Sequence, residues 1–320
     1  MIKKERKMSN YQYDLVCIGV ALVDSIVRGF DPNPISKSGF FAESGSLSVG
    51  GEALNGSITA SKLGLKTAIL TGLGYDAAAE LIINELESNG VDISHCIRSE
   101  EMHTPVSTLL VNMDGTRKSI MNKSHRYNFH PERYLEVLDS TPAIAIGSLF
   151  RPPFNDPQII YRVLKEAKNR GITTYVDTKL PNYNTLTLED IKNSLQYVDY
   201  IFPNEDEAAF YSGETDPDKQ AEVFLKYGVK TVIIKLGAKG CLMKSSSCRV
   251  CLNAIDINAV DAVGAGDSFM AGFITARHDG MTDEQALSFA NVCGGICTEH
   301  IGATTGIKNK DQVLKRMSAG

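Results

Sequence analysis

Residues Asp261–Ile274 read D-A-V-G-A-G-D-S-F-M-A-G-F-I. Gly264, Ala265 and Gly266 leave the backbone nearly bare, so successive N–H groups can converge on one point. From Ser268 to Ala276 the apolar residues fall at helical spacing, with Phe269, Phe273 and Ile274 on one face. The small pair Ala271/Gly272 lets a neighbour approach closely. A helix N-terminus joins unpaired N–H groups to the positive end of a macrodipole, which suits an anion. Asp267 stands beside that site. A carboxylate there binds phosphate poorly but is well placed to take a proton from a group attacking one. The dipole alone also favours aspartate in a first helical turn, so this stretch needs support from the rest of the chain. It is not a Walker A loop, because no Lys-Ser/Thr follows the glycines. It is not G-x-G-x-x-G either, because Phe269 stands where the third glycine belongs.

Working outward, the chain alternates strands and helices. Asp14–Val20 is an apolar strand running into Asp24. Gly50-Gly51 turns into a helix over Glu52–Leu63. Thr67–Gly72 reads as a strand and Asp76–Asn89 as a helix closed by Gly90. Pro105–Met113 and Arg117–Met121 flank an Asp-Gly turn, a hairpin signal. Strands follow at Ala143–Leu149, Thr173–Asp177, Tyr200–Phe202 and Thr231–Leu236. Helices are predicted at Pro157–Arg170, Leu188–Leu195, Glu205–Tyr211, Asp218–Tyr227, Asp283–Glu299 and Lys310–Met317. This rhythm predicts an α/β fold with a mainly parallel sheet covered on both faces, its ligands at the carboxyl ends of the strands. Residues 28–49 and 103–122 break the rhythm and read as a small β lid. Residues 1–27, 50–102 and 123–320 would form the core.

The chain has 320 residues, 33 basic and 38 acidic side chains and a net charge of −5. That balance argues against a nucleic-acid binder, which needs a basic face. No apolar run approaches a membrane span and no secretion signal is visible, so a cytoplasmic protein is expected. The basic opening MIKKERKMSN has no apolar core, and Met8 is a candidate internal start. Seven cysteines include the pairs Cys248/Cys251 and Cys293/Cys297, the latter near His300. Neither pair completes a four-ligand zinc set, and cytosolic thiols are normally reduced.

The stretch around Asp267 resembles the second signature of the ribokinase (PfkB) family of carbohydrate kinases, D-T-x-G-A-G-D-x-F, with Ala262 in place of Thr. Other elements follow in family order from Asp14 to about Gly306. Gly50-Gly51-Glu52-Ala53-Leu54-Asn55 resembles the sugar-binding G-G-x-x-x-N element, and Asp24 matches a substrate-binding aspartate. Asn204-Glu205-Asp206-Glu207 resembles N-x-x-E, which organises magnesium and phosphate. The same four residues also spell a helix capping box. Lys179 resembles the lysine of D-P-K, although commoner relatives have D-P-N-x-R and Pro181 replaces that arginine here. Gly237–Gly240 corresponds to the nucleotide-side turn and Asn291 to a position beside the adenine. Asp261 and the Gly302–Thr305 turn correspond to a region where relatives often bind potassium.

The resemblance thus implies a ribokinase-like fold and an ATP-dependent sugar kinase using Mg2+ and, on this reading, K+. Asp267 would be the base, with the N–H groups of Gly264, Ala265 and Gly266 and of Asp267 itself around the transferring phosphoryl group. Asp24, Gly50, Gly51 and Asn55 would bind the sugar. Lys179, Asn204, Glu207, Gly237, Gly240 and Asn291 would serve the nucleotide, with Asn204, Glu207 and Asp261 at the metals. Two departures bear on the sugar: Leu22 replaces a usual asparagine, and Glu52 replaces a lysine. Two carboxylates near the sugar favour a neutral, ribose- or fructose-like acceptor over an acid. Arg126 in the returning lid strand is the counterweight, since it suits a 2-keto-3-deoxygluconate kinase. The same fold would also serve a nucleoside kinase or a catalytically silent sugar-binding protein; the intact loop and Asp267 argue against the silent form. A dehydrogenase is excluded by the single glycine of Gly19-Val20-Ala21-Leu22. An apolar lid face of Phe40, Phe41, Leu47, Val49, Leu109 and Val111 predicts a homodimer through the lid.

Overall fold

A computed structural model describes residues 11–30, 42–113, 116–121, 129–181 and 185–319. The first half of the chain contains β1 (Leu15–Ile18), β2 (Leu22–Phe30), β3 (Ser44–Gly50), α1 (Glu52–Lys62), β4 (Thr67–Leu73), α2 (Ala77–Ser88), β5 (Cys96–Arg98), β6 (Val106–Asn112) and β7 (Arg117–Met121). Then come β8 (Ala143–Leu149), α3 (Pro157–Asn169), β9 (Thr173–Thr178), α4 (Lys192–Leu195), β10 (Tyr200–Phe202), α5 (Glu205–Ser212) and α6 (Pro217–Lys226). The chain closes with β11 (Thr231–Lys235), β12 (Cys241–Ser245), β13 (Arg249–Leu252), α7 (Ala265–His278), α8 (Asp283–Thr298) and α9 (Lys310–Ala319).

Nine strands form one sheet in the order β13-β12-β11-β10-β9-β8-β1-β4-β5. It is parallel from β5 to β11, and the turn at Gly237–Lys239 reverses the chain so that β12 and β13 run antiparallel. Alternating side chains of β1 enter opposite layers. Leu15 and Cys17 pack with α1, α2, α7 and α8, whereas Val16 and Ile18 pack with α3, α5 and α6. On the first face Phe273 of α7 meets Phe202 of β10 edge-on at 5.5 Å, and Gly272 lets Cys293 and Ala290 of α8 approach closely. After β1 the chain builds one flank through β4 and β5, then returns to the other side of β1 with β8. That reversal opens a crevice at the carboxyl ends of the strands.

A second sheet of four strands, in the order β3-β2-β6-β7, stands over the crevice. It begins earlier than the composition suggests: the expected boundary at residue 28 falls inside β2, which already leaves the core at Leu22. Leu22, Val23, Ile26, Val27 and Phe30 give Leu22–Phe30 its strand propensity despite Asp24 and Arg28, so the composition change marks its end rather than its start. The expected apolar lid face also divides in two. Leu47 and Val49 pair with Ser25 and Val23, whereas Leu109 and Val111 pair with Ile26 and Arg28. Successive residues of β2 point to opposite faces, so these two pairs cannot share one. Leu109 and Val111 face the crevice and Leu47 is 63% exposed. Phe40, Phe41, His125 and Arg126 lie outside the described residues. Three smaller differences remain. The short β5 lacks any strand-length apolar run. The helix expected over Leu188–Leu195 shrinks to α4, and α7 starts at Ala265, three residues before the expected Ser268.

Candidate active site

The site is built where four parallel strands end. β9 delivers Asp177 and, just past its end, Lys179; β10 delivers Asn204, β11 ends on Lys235, and β8 ends beside Ser148. Gly51 then starts α1. Its φ of 101° lies in the left-handed region, and a Cβ there would stand 2.3 Å from the Val20 carbonyl oxygen, so only glycine fits this turn. The lid closes the cavity from above with Asp24 and Ser48. Apart from Arg126, which lies outside the described residues, the candidate site residues named from the sequence, from Asp24, Gly50, Gly51 and Asn55 to Gly237, Gly240, Asp261 and Asn291, line this one cavity of about 1220 Å3.

At its centre is the first turn of α7. Gly264 holds the N-cap position at φ 79°, and a Cβ there would stand 2.4 Å from Ala303 Cα, so a side chain is excluded twice over. Ala265 lies within the expected anion hole, but its N–H donates to the Ala262 carbonyl at 3.3 Å. Gly266 and Asp267 present N–H groups that meet no protein acceptor among the described residues. Asp267 itself is 8% exposed, and its Oδ2 accepts from Asn55 Nδ2 at 2.8 Å. Burial chiefly, and then the neighbouring Glu52 carboxylate, push its pKa up to about 7; Lys179 and the Asn55 bond pull the other way. Asn55, expected on the sugar, therefore also touches the candidate base. Its Oδ1 is buried with no partner among the described residues.

Charged pairs surround this carboxylate. Lys179 Nζ lies 3.4 Å from Glu52 Oε1, and that carboxylate holds the lysine well above its ordinary value. Lys235 Nζ donates to Asp177 Oδ1 at 2.6 Å. Glu52 therefore does not add a bare second negative charge beside Asp24, as its position in the sequence suggests; Lys179 offsets it. Asn204 and Glu207 form a full capping box on α5, with Asn204 Oδ1 accepting from Glu207 N at 2.8 Å and Glu207 Oε2 from Asn204 N at 3.0 Å. Glu207 Oε2 also accepts from Thr178 Oγ1 at 2.8 Å. Burial first and Asp177 second raise the Glu207 pKa.

Behind α7, Asp261 Oδ1 accepts from Val263 N and its Oδ2 from Gly302 N, each at 3.2 Å. Lys62 reaches up from α1 and donates to the Thr304 carbonyl at 2.8 Å, fixing the Gly302–Thr305 turn from the core side. Asn291 Nδ2 donates to Asn253 O at 2.8 Å and joins α8 to the chain beyond β13. Lys235 and Arg28 of the lid are cavity residues that no sequence motif singles out, whereas Asp177 is the first residue of the D-P-K-like stretch that ends on Lys179. A signal existed for Lys235, a charge ending the apolar strand T-V-I-I-K, as Lys179 follows T-T-Y-V-D-T.

The chain matches the model of the "pfkB family carbohydrate kinase" over residues 14–310. Ribokinase of Staphylococcus aureus is 26% identical over 274 residues, covering 82% of this chain and 86% of that protein. The 2-dehydro-3-deoxygluconokinase of Bacillus subtilis is 26% identical over 272 residues, covering 81% and 83%. The structure of Arabidopsis thaliana ribokinase complexed with ribose and ATP superposes with a TM-score of 0.85 at 24% identity, over 95% of this chain and 98% of that one.

One consequence of burying Asp267 is open to measurement. A carboxyl whose folded pKa is about 7, against 3.8 ordinarily, costs stability that grows as pH rises from about 4 and is complete above about 7. Asp267→Asn should therefore raise the melting temperature, and by more at pH 8 than at pH 5, with a gain at pH 8 of roughly 2–6 °C. Equal shifts at both pH values, in calorimetric melts, would contradict the raised pKa. Strand ends, glycine turn and buried acid thus converge with the comparisons: this chain belongs to the pfkB family of carbohydrate kinases, phosphotransferases with an alcohol group as acceptor.

Proposed function

We propose that this carbohydrate kinase moves the γ-phosphate of ATP onto a hydroxyl of a neutral sugar, ribose- or fructose-like. The observation that carries the reading is Asp267: a buried carboxylate whose pKa is raised to about 7, lining the same cavity as Gly266, with neither residue's N–H meeting a protein acceptor among the described residues. A base works best when its pKa lies near the operating pH. Asp267 takes the hydroxyl proton as the sugar oxygen attacks, and the Gly266 and Asp267 N–H groups receive the charge on the phosphoryl oxygens. Asn55 fixes the Asp267 carboxylate and offers its unpartnered Oδ1 to a sugar hydroxyl. Asp24 meets the sugar from the lid, and Gly50 and Gly51 let it approach the backbone. Gly237, Gly240 and Asn291 border the nucleotide.

Asn204 and Glu207, with Asp177, are the residues that would hold Mg2+, which offsets phosphate charge when bound. Among the described residues no three His, Cys, Asp or Glu side chains form a metal cage. That suits an ion retained mainly by water and phosphate. The raised pKa of Glu207 marks a carboxylate pair whose charge a divalent cation would relieve. Potassium would sit by Asp261 and the Gly302–Thr305 carbonyls, although Lys62 already supplies an ammonium to Thr304. ATP chemistry of this kind belongs in the cytoplasm. A second reading, an acid-sugar acceptor, is favoured by Arg28 on the cavity wall and by the pairing of Glu52 with Lys179.

For the assembly we propose a homodimer through the outer lid face. Leu47, Ser25, Thr108 and Ile120 lie in one row across that sheet, with Leu47 63% and Ile120 64% exposed. A thin sheet with one face on its ligand cannot bury the other without a partner.

Four measurements test these proposals. Asp267→Asn should lower kcat by at least ~10²-fold while ATP and sugar still bind. In an ADP-release screen of pentoses, hexoses, nucleosides and keto-deoxy acids, a neutral sugar should show the highest kcat/KM. Near-normal turnover by the variant removes Asp267 as base, and a tenfold advantage for the acid sugar establishes the second reading. Replacing potassium by tetramethylammonium at equal ionic strength should lower kcat; an unchanged rate would show that Lys62 and Asp261 suffice. Light scattering at micromolar concentration should give a dimer that Leu47→Asp with Ile120→Asp converts to monomer. A wild-type monomer would refute the lid interface.

A further inference from the structure

We propose that Lys235 is a catalytic residue whose ammonium group touches the transferring phosphate from the nucleotide side. The family resemblance places Lys179, not Lys235, among the nucleotide residues. The inference rests on the kinase reading and goes beyond it by giving the phosphate contact to Lys235.

Position is the first argument. Lys235 is the last residue of β11, two before the Gly237 turn that borders the nucleotide. Its backbone N–H donates to the Pro203 carbonyl at 2.9 Å, and it bridges in parallel to Asn204, so the side chain starts from a fixed point. A Cβ placed on Gly266 would stand 3.1 Å from Lys235 Nζ. The ammonium therefore lies against the turn whose Gly266 and Asp267 N–H groups meet no acceptor among the described residues. An anion seated on those groups comes within reach of Lys235 with little movement. The absence of a side chain at Gly266 keeps that path open.

Charge is the second argument. The lysine is 14% exposed, and Asp177 at 2.6 Å holds it in place. A buried ammonium with one carboxylate partner keeps two N–H donors for a ligand. Lys179 differs: Glu52 holds it at 3.4 Å on the α1 side of the cavity, where its effect is to offset Glu52 beside Asp267. We therefore take Lys179 as a positioning residue.

In the step itself, the sugar oxygen bonds to the γ-phosphorus while the bond from that phosphorus to the β–γ bridging oxygen breaks. The hydroxyl proton goes to Asp267. The electron pair of the broken bond stays on the bridging oxygen of ADP, and Lys235 faces the charge growing there as a compact point charge, giving up no proton. Gly266, next to it, offers its N–H to the oxygens in flight.

The test compares Lys235→Met, Lys235→Arg and the pair Asp177→Asn/Lys235→Met with wild type on whichever acceptor wild type uses. We expect Lys235→Met to lose at least ~10²-fold in kcat, the scale of one preorganised charge, with the acceptor KM changed less than about threefold. Lys235→Arg should retain an intermediate rate, and the paired variant should stay as slow as Lys235→Met. By calorimetry, Lys235→Met should weaken ADP–aluminium fluoride at least ~10-fold more than ADP alone, a readout that needs no turnover. Recovery in the paired variant would mean that Lys235 only balances Asp177, and would overturn the proposal. So would a Lys235→Met enzyme within threefold of wild type, or equal weakening of the two ligands. A wild type that turns over no acceptor instead counts against the kinase reading, while the calorimetric arm still decides on Lys235.

Discussion

Everything at the strand ends depends on one electrostatic constraint: Glu52, Asp177, Glu207 and Asp267 share the cavity wall, and among the described residues the ion pairs there are those of Lys179 and Lys235. Buried charges are tolerated when paired and hydrogen-bonded, and each remaining carboxylate must move its pKa or find another cation. Lys179 offsets Glu52 and Lys235 offsets Asp177. Asp267 is held by the Asn55 bond and Glu207 by its capping box and Thr178, and both titrate above the ordinary carboxylate range. Burial and the neighbouring carboxylates together raise the Asp267 pKa to about 7, the property on which its proposed role as base rests.

The cost of that arrangement is carried by the core around it. α7 is buried along nearly its whole length, with Phe269 and Phe273 against Phe202 and Tyr175, and with α1 and α8 packed against it. Apolar burial of this kind contributes about 25 cal/mol per Å2 and does not depend on pH. The helix therefore stays put while its first turn carries an acid in the wrong medium. A surface helix could not hold Asp267 in that state, because water would return its pKa to the ordinary range.

Much of this is legible in the sequence where the signal is local. The glycine loop, the helix entry at Gly50-Gly51, the Asn204–Glu207 cap and the alternation of strands and helices all lie within a few residues of chain, and each has a backbone reason to be there. What the sequence hides depends on distant partners. Asn55 and Asp267 are 212 residues apart, and Lys235 and Asp177 are 58 apart, so no spacing rule connects them. Glu52 reads as a bare charge because Lys179, its partner, arrives on another strand. The apolar lid face misleads for a related reason. Composition counts Leu47 and Leu109 together, whereas only the register through Ser25 and Ile26 shows that they face opposite ways.

The same register ties the lid to the chemistry. β2 leaves β1 through Val20 and Ala21, and β3 returns through Gly50 directly into Gly51, the N-cap of α1. Leu22 pairs with Gly50, and Asp24 stands 3.0 Å from the Cβ position of Gly50. One turn into α1, Asn55 holds Asp267. On the proposed reading, a sugar bound at Asp24 would act on a strand pair joined directly to both β1 and α1. Gly51, confined to φ 101° against the Val20 carbonyl, is the pivot that keeps the two in register. If, as proposed, Asp24 meets the acceptor and Asp267 takes its proton, the covalent path Gly50–Asn55 joins the two, with glycines at its start and the amide one helical turn later.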